Sequence, residues 1–226
     1  MTSLLPPVTG VDFRRWLEAA QPSSTPEHAQ DDPAWMLAAA AENGCVARVQ
    51  AMRRHAADLG ASLQESYAPP PDERDRQEAD LFETFSNASS AVECTFIWVF
   101  AHACRLAPAL TLADATGPMY PTDVLGRVRP AFPGAPVTAA MEEIVKAAPY
   151  QQIRNLRNVL SHRGTPGRLL AIPPSPPRIP YENARDLPDG TPPEWDMTQE
   201  NIQGIVNWTE GAVVRVVEAA GSGMSA

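Results

Sequence analysis

The chain has 226 residues, with a hydrophobic fraction of 44% and a charged fraction of 20%. These are the proportions of a soluble globular protein, and they exclude a chain disordered throughout. The formal net charge of −9 excludes a general nucleic-acid coat protein, which would be basic. The length suits one domain of generous size, or one domain with a long insertion.

Glycine and proline mark the breaks between elements, and strand-like alternation is scarce. A short helix is expected over residues 11–20, followed by the loop "QPSSTPEHAQ", so 1–32 reads as a short helix and a loop. The first twenty residues lack a basic start followed by an apolar run, which predicts no signal peptide. A long helix opens at "DDPAW", with Asp32 as N-cap and Pro33 in the first turn. It runs toward Tyr67, and "APPP" stops it.

A second long helix is expected from near Asp72 to just before Pro108. Its later part, "CTFIWVFAHAC", is apolar nearly all round, which predicts burial on several sides, at the bundle centre or in a dimer interface. Glu93, His102 and Arg105 in this most apolar stretch argue against a membrane span. Residues 111–136 are loop-rich with a short helix at 122–128, and 138–147 is helical. Pro149 opens the next helix, and Gly164 with Pro166 ends it.

Residues 164–196 hold nine prolines and read as an irregular insertion, in which "RLLAI" forms a short strand paired near Tyr181. The final helix is placed from Asp196, with Gln199 in a capping box. Ile202, Ile205, Val206, Val213, Val216 and Val217 follow helical spacing, and 221–226 is a flexible tail. The expected fold class is all-α: a bundle of about four main helices over 33–220, interrupted by the 164–196 insertion. Cys45, Cys94 and Cys104 form no C-x-x-C pair and no regular framework, so they read as reduced core residues of a cytoplasmic protein.

The charge is unevenly placed. From 144 to 181 there is no acidic residue, yet Lys146, Arg154, Arg157, Arg163, Arg168 and Arg178 contribute +6, which leaves −9 − 6 = −15 for the rest. A local cationic patch on an anionic body suits a small anionic group bound in one place. Within the patch lies "RNLRNVLSH". At 100° per residue Ile153, Leu156, Val159 and Leu160 share one apolar arc, while Arg154, Asn158 and His162 form an i, i+4, i+8 row, with Arg157 and Ser161 between. Guanidinium donates paired hydrogen bonds to phosphate oxygens, and imidazole exchanges protons near neutral pH. Asn158 and Ser161 are placed to orient the imidazole or a ribose hydroxyl. With no acidic residue nearby in sequence to hold Mg²⁺, the set fits a metal-independent cleavage in which the RNA 2′-hydroxyl attacks the adjacent phosphate.

Arg157-Asn158-x-x-x-His162 resembles the R-x(4–6)-H motif of the HEPN superfamily, in its spacing, in the polar residue after the arginine and in its place on the penultimate long helix. The resemblance implies a helical bundle that dimerises and a metal-independent ribonuclease of the kind found in toxin–antitoxin, CRISPR and phage-defence systems. It implies Arg157 and His162 as catalytic residues supported by Asn158, with neither cofactor nor metal required; Arg154, Ser161, Arg163 and Arg168, from the same cationic stretch, are expected to hold substrate. The implied partners are a second copy of the chain, RNA and an antitoxin protein, with no membrane. A two-fold axis through the site would bring in a second histidine, so that one serves as base and one as acid. Superfamily members without activity act as scaffolds, and the same strip then holds a nucleotide or a partner protein.

The other histidines carry less. His102 reads as a core histidine, Glu93 as a structural salt-bridge partner, His55 as part of a solvated helix surface and His28 as a loop residue. No zinc-type spacing, glycine-rich phosphate loop or G-x-S-x-G elbow is present, and the five tryptophans are scattered rather than arranged as a stacking series.

Overall fold

Asp32 starts the first helix as expected: its carboxylate accepts the backbone N–H of Ala34 at 2.9 Å and of Trp35 at 3.4 Å, next to Pro33 in the first turn. The computed structural model describes residues 32–65, 69–115, 119–162, 176–181 and 194–223. The expected helix at 11–20, the "RLLAI" strand, Arg163, Gly164, Pro166 and Arg168 lie outside the described residues.

Six α-helices, a 3₁₀ turn and one two-stranded ribbon make up the described residues, so the fold is mainly helical. In chain order they are α1 (Pro33–Glu65), α2 (Pro71–Leu106), the 3₁₀ turn (Leu112–Ala115), α3 (Pro121–Ala131), α4 (Pro136–Lys146), α5 (Ala148–His162), β1 (Arg178–Pro180), β2 (Glu194–Asp196) and α6 (Gln199–Gly223). Asp72 and Glu73 in the first turn of α2 and Arg105 in its last suit the helix dipole. The turn between α3 and α4 passes through Gly134 at φ +75°, a left-handed conformation that favours glycine. None of the described helices is long and apolar enough to cross a membrane.

The expectations for α6 need two corrections. Asp196 does not open the helix but sits in β2, which pairs antiparallel with β1 in the register Arg178↔Asp196, Ile179↔Trp195, Pro180↔Glu194. The reason is burial with period two: Trp195 and Met197 are buried while Asp196 is exposed, a strand-like alternation that draws the segment into the ribbon. Thr198 caps α6 instead, its hydroxyl accepting the Asn201 N–H at 3.1 Å. At the other end the helix continues to Gly223, so 221–223 belongs to α6 rather than to a tail. Tyr181 does follow a strand, but the partner of that strand is β2.

The chain divides into two compact units. The first draws its described residues from α1 up to Ala47, from Ser90–Lys146 and from Thr209 onward. Its core includes Phe96, Trp98 and Phe100, all at most 2% exposed, which bears out the burial expected for "CTFIWVFAHAC". Val124, Val128, Val137, Met141, Val213 and Val216 are also buried there. Arg129 of α3 reaches Glu142 of α4 at 2.8 Å, and Arg215 of α6 bonds Glu143.

The second unit comprises Arg48–Ser89 and Ala147–Trp208. Here α1 and α2 run antiparallel, tied by Arg48 to Asn87 at 3.1 Å, His55 to Asp80 at 2.8 Å, and Ser62 to Gln77 at 2.8 Å. Leu59, Leu81, Phe85, Ile153, Leu156 and Ile179 are buried in it, and Trp195 of β2 meets Phe85 edge-on with centroids 5.2 Å apart.

Candidate functional site

The apolar arc of α5 is buried as its spacing requires: Ile153, Leu156, Val159 and Leu160 are all at most 6% exposed. Burying four such side chains anchors the helix, at roughly 1.5–3 kcal/mol each. The rotation of the helix about its axis is then set, and the polar residues between them point elsewhere. Arg157 and Asn158 are half-buried, and Arg154 and Ser161 are exposed. Asn155 is buried at 7% exposure, and its amide donates to the Gln151 carbonyl of its own helix at 3.2 Å.

Arg154 extends over the Tyr150 ring, 5.8 Å from its centroid, within cation–π reach. Tyr150 is itself buried and stacks on Trp208 of α6 at 6.4 Å with planes 29° apart. The guanidinium is thus braced by an aromatic pair while remaining exposed. His162 is the last residue of α5, and its side chain lies outside the described part of the structure. Among the predicted site residues, Arg154, Arg157, Asn158 and Ser161 therefore share the polar side of one helix, whose final position is His162.

That strip occupies the C-terminal half of a helix, where carbonyls rather than N–H groups are exposed and the dipole is negative. An anion bound there must be held by side chains, since the backbone N–H cradle of a helix N-terminus is absent at this end. Arginines are suited to that task, being planar, permanently charged and able to donate two parallel hydrogen bonds.

No protein-family model, curated protein or solved structure matches the chain.

The remaining candidates fall out differently. His102 is a core histidine, 2% exposed, set edge-on to Trp98 at 4.5 Å and to Trp35 at 6.3 Å. Burial pushes its pKa down to about 4, with the nearby Arg105 charge acting in the same direction. Arg105 pairs with Asp32 at 3.3 Å and covers the Trp35 ring at 5.0 Å. A neutral, enclosed imidazole of this kind supports the structural role expected for it. No disulfide joins Cys45, Cys94 and Cys104, and burial pushes the Cys45 thiol up to about 12, so it is no nucleophile.

His55 is not part of a solvated surface. Its side chain is only 23% exposed, and Nδ1 lies 2.8 Å from Asp80 Oδ1. Asp58 completes a group in which one ligand-capable atom from each residue lies within 4.8 Å of the others. The His55-x-x-Asp58 spacing on one helix face was a legible signal. Asp80 comes from the next helix, 25 positions away from His55, and only folding brings it in.

Proposed function

We propose that the chain is a HEPN-type, metal-independent endoribonuclease acting through Arg157, Asn158 and His162 as a homodimer. The observation that supports this is the polar strip of α5: an arginine–asparagine pair beside a fully buried apolar arc, on the helix that His162 ends. In the proposed reaction one His162 takes the proton of the 2′-hydroxyl. O2′ then bonds to phosphorus, and the 5′-oxygen leaves with a proton from the His162 of the second copy. The products are a 2′,3′-cyclic phosphate and a 5′-hydroxyl end. Arg157 balances the charge gathering on the phosphoryl oxygens, a contribution of the scale of roughly 10²-fold in rate. Arg154, Ser161, Arg163 and Arg168 hold the flanking phosphates and ribose. A toxin or phage-defence effector restrained by an antitoxin protein is the biological setting that this reading fits.

A non-catalytic nucleotide-binding or scaffold module is the second reading, and the net charge of −9 favours it, because RNA is repelled everywhere except at the patch. An RNA-cleavage assay in EDTA distinguishes the two. Under the nuclease reading the wild type cleaves, His162→Ala abolishes cleavage and Arg157→Ala slows it about 10²-fold or more, with both variants folded. Strict Mg²⁺ dependence, or full activity in either folded variant, overturns it. No cleavage by wild type, with nucleotide binding that Arg157→Ala removes, assigns the module to the second reading.

A further inference from the structure

We propose that His55, Asp58 and Asp80 form a three-ligand site for a first-row divalent cation of the zinc type. His55 and Asp58 stand three residues apart on α1, so their side chains rise from the same face one turn apart. Asp80 faces them from the antiparallel α2. The two helices are held on either side of the group, by Arg48 to Asn87 at 3.1 Å and by Ser62 to both Gln77 and Glu73 at 2.8 and 3.2 Å. On the same two helices Met52, Leu59, Leu81 and Phe85 are all fully buried. The backbone positions carrying the three ligands are thus fixed by packing before any ion arrives.

The donor set decides the class of ion. One imidazole nitrogen and two carboxylates supply N,O,O coordination with a charge of −2, which balances a divalent cation. An imidazole suits zinc, copper, iron and nickel, whereas magnesium and calcium take oxygen donors. Three protein ligands leave a fourth position to water, and the exposure of Asp58 opens that side to solvent.

The distances are compatible with loading. Atoms bound at about 2.0–2.2 Å around a tetrahedral ion lie roughly 3.4 Å apart. The three atoms already lie within 4.8 Å of one another, and His55 Nδ1 and Asp80 Oδ1 are at 2.8 Å. Binding therefore replaces the hydrogen bond between these two with two metal bonds and swings the exposed Asp58 inward. Arg54 opposes the ion: its Nη2 lies 3.5 Å from His55 Nε2. When Nδ1 takes the metal, Nε2 carries the proton and the exposed guanidinium must turn away. Removing that guanidinium should tighten binding.

The competing account is a plain His55–Asp80 hydrogen bond, which needs neither Asp58 nor a metal. Titration of the EDTA-stripped and dialysed full chain with ZnCl₂ by calorimetry separates them, with CoCl₂ absorption as a second readout of the ligand field. The expected result is a zinc-binding event in wild type that Asp58→Asn weakens by about tenfold or more and Asp80→Asn removes, with helical circular dichroism retained in both. Saturating zinc should raise the melting temperature of wild type by about 5 °C or more, and that of Asp58→Asn far less. Arg54→Ala should bind zinc more tightly than wild type. Absence of zinc binding by wild type, or identical binding by wild type and Asp58→Asn, overturns the proposal. The measurement contains no RNA, so its outcome is independent of the cleavage reading.

Discussion

Replacing His102 with leucine should flatten the acid limb of the stability curve. The imidazole is 2% exposed between Trp98 and Trp35, and its pKa falls from 6.5 to about 4 on folding. The unfolded chain, with the higher pKa, takes up the proton first. This contribution to stability is therefore complete above about pH 6.5 and is lost as pH falls toward 4. At about 1.4 kcal/mol per pH unit the whole window amounts to roughly 3 kcal/mol, of which roughly 2 kcal/mol is lost between pH 7.5 and pH 5. Leucine has nearly the volume of histidine and cannot titrate. It also removes Nε2, which has no hydrogen-bond partner among the described residues, so the variant should lose little at pH 7.5. Urea unfolding of both proteins at pH 5.0 and 7.5 measures the difference. Wild type should lose about 2 kcal/mol more than His102→Leu on acidification. Parallel losses in the two proteins would mean that His102 is protonated in the fold and that its enclosure has been misread.

Glycine substitutions should divide by the space around each position. Gly126→Ala and Gly204→Ala meet nothing within 4 Å and should each stabilise by about 0.5–1 kcal/mol in thermal or urea unfolding. The same change at Gly44 sets Cβ 3.1 Å from Cys94 Sγ, so its gain should emerge only in a Cys94→Ala background. Thr198→Ala should cost about 1 kcal/mol through the lost cap of α6, while a cap at Asp196 would leave Thr198 neutral. Trp195→Ala should cost about 3–5 kcal/mol because β2 packs its indole on Phe85; a cost below about 0.5 kcal/mol would make the ribbon a loose appendage.

How much was legible varied with the range over which each feature is determined. Helix starts were readable because caps and prolines act within one turn: Asp32 with Pro33 opens α1, and Pro149 sits in the first turn of α5. The buried faces were readable because helical period alone places Leu156 and Val159 together, and because an all-apolar surface such as that around Phe96 has nowhere else to go. The row Arg154, Asn158, His162 belongs to the same class, since the geometry of a single helix defines it. Pairing across the chain was not readable. Arg178–Pro180 meets Glu194–Asp196 because Ile179 and Trp195 gain more by burial together than Asp196 gains by capping a helix it could have begun.

The same division separates the two histidines whose environment mattered most. Sequence placed His102 in a core, yet its depressed pKa depends on Trp35 and Arg105 closing around it, and Trp35 arrives from another helix. His55 showed only an i, i+3 aspartate; its hydrogen bond with Asp80 required α2 to lie antiparallel to α1 and deliver that carboxylate from 25 residues away. Local backbone geometry was written in the order of the residues. The electrostatic character of each buried group was decided only when tertiary packing excluded water and chose its neighbours, because charge interactions act through space rather than along the chain.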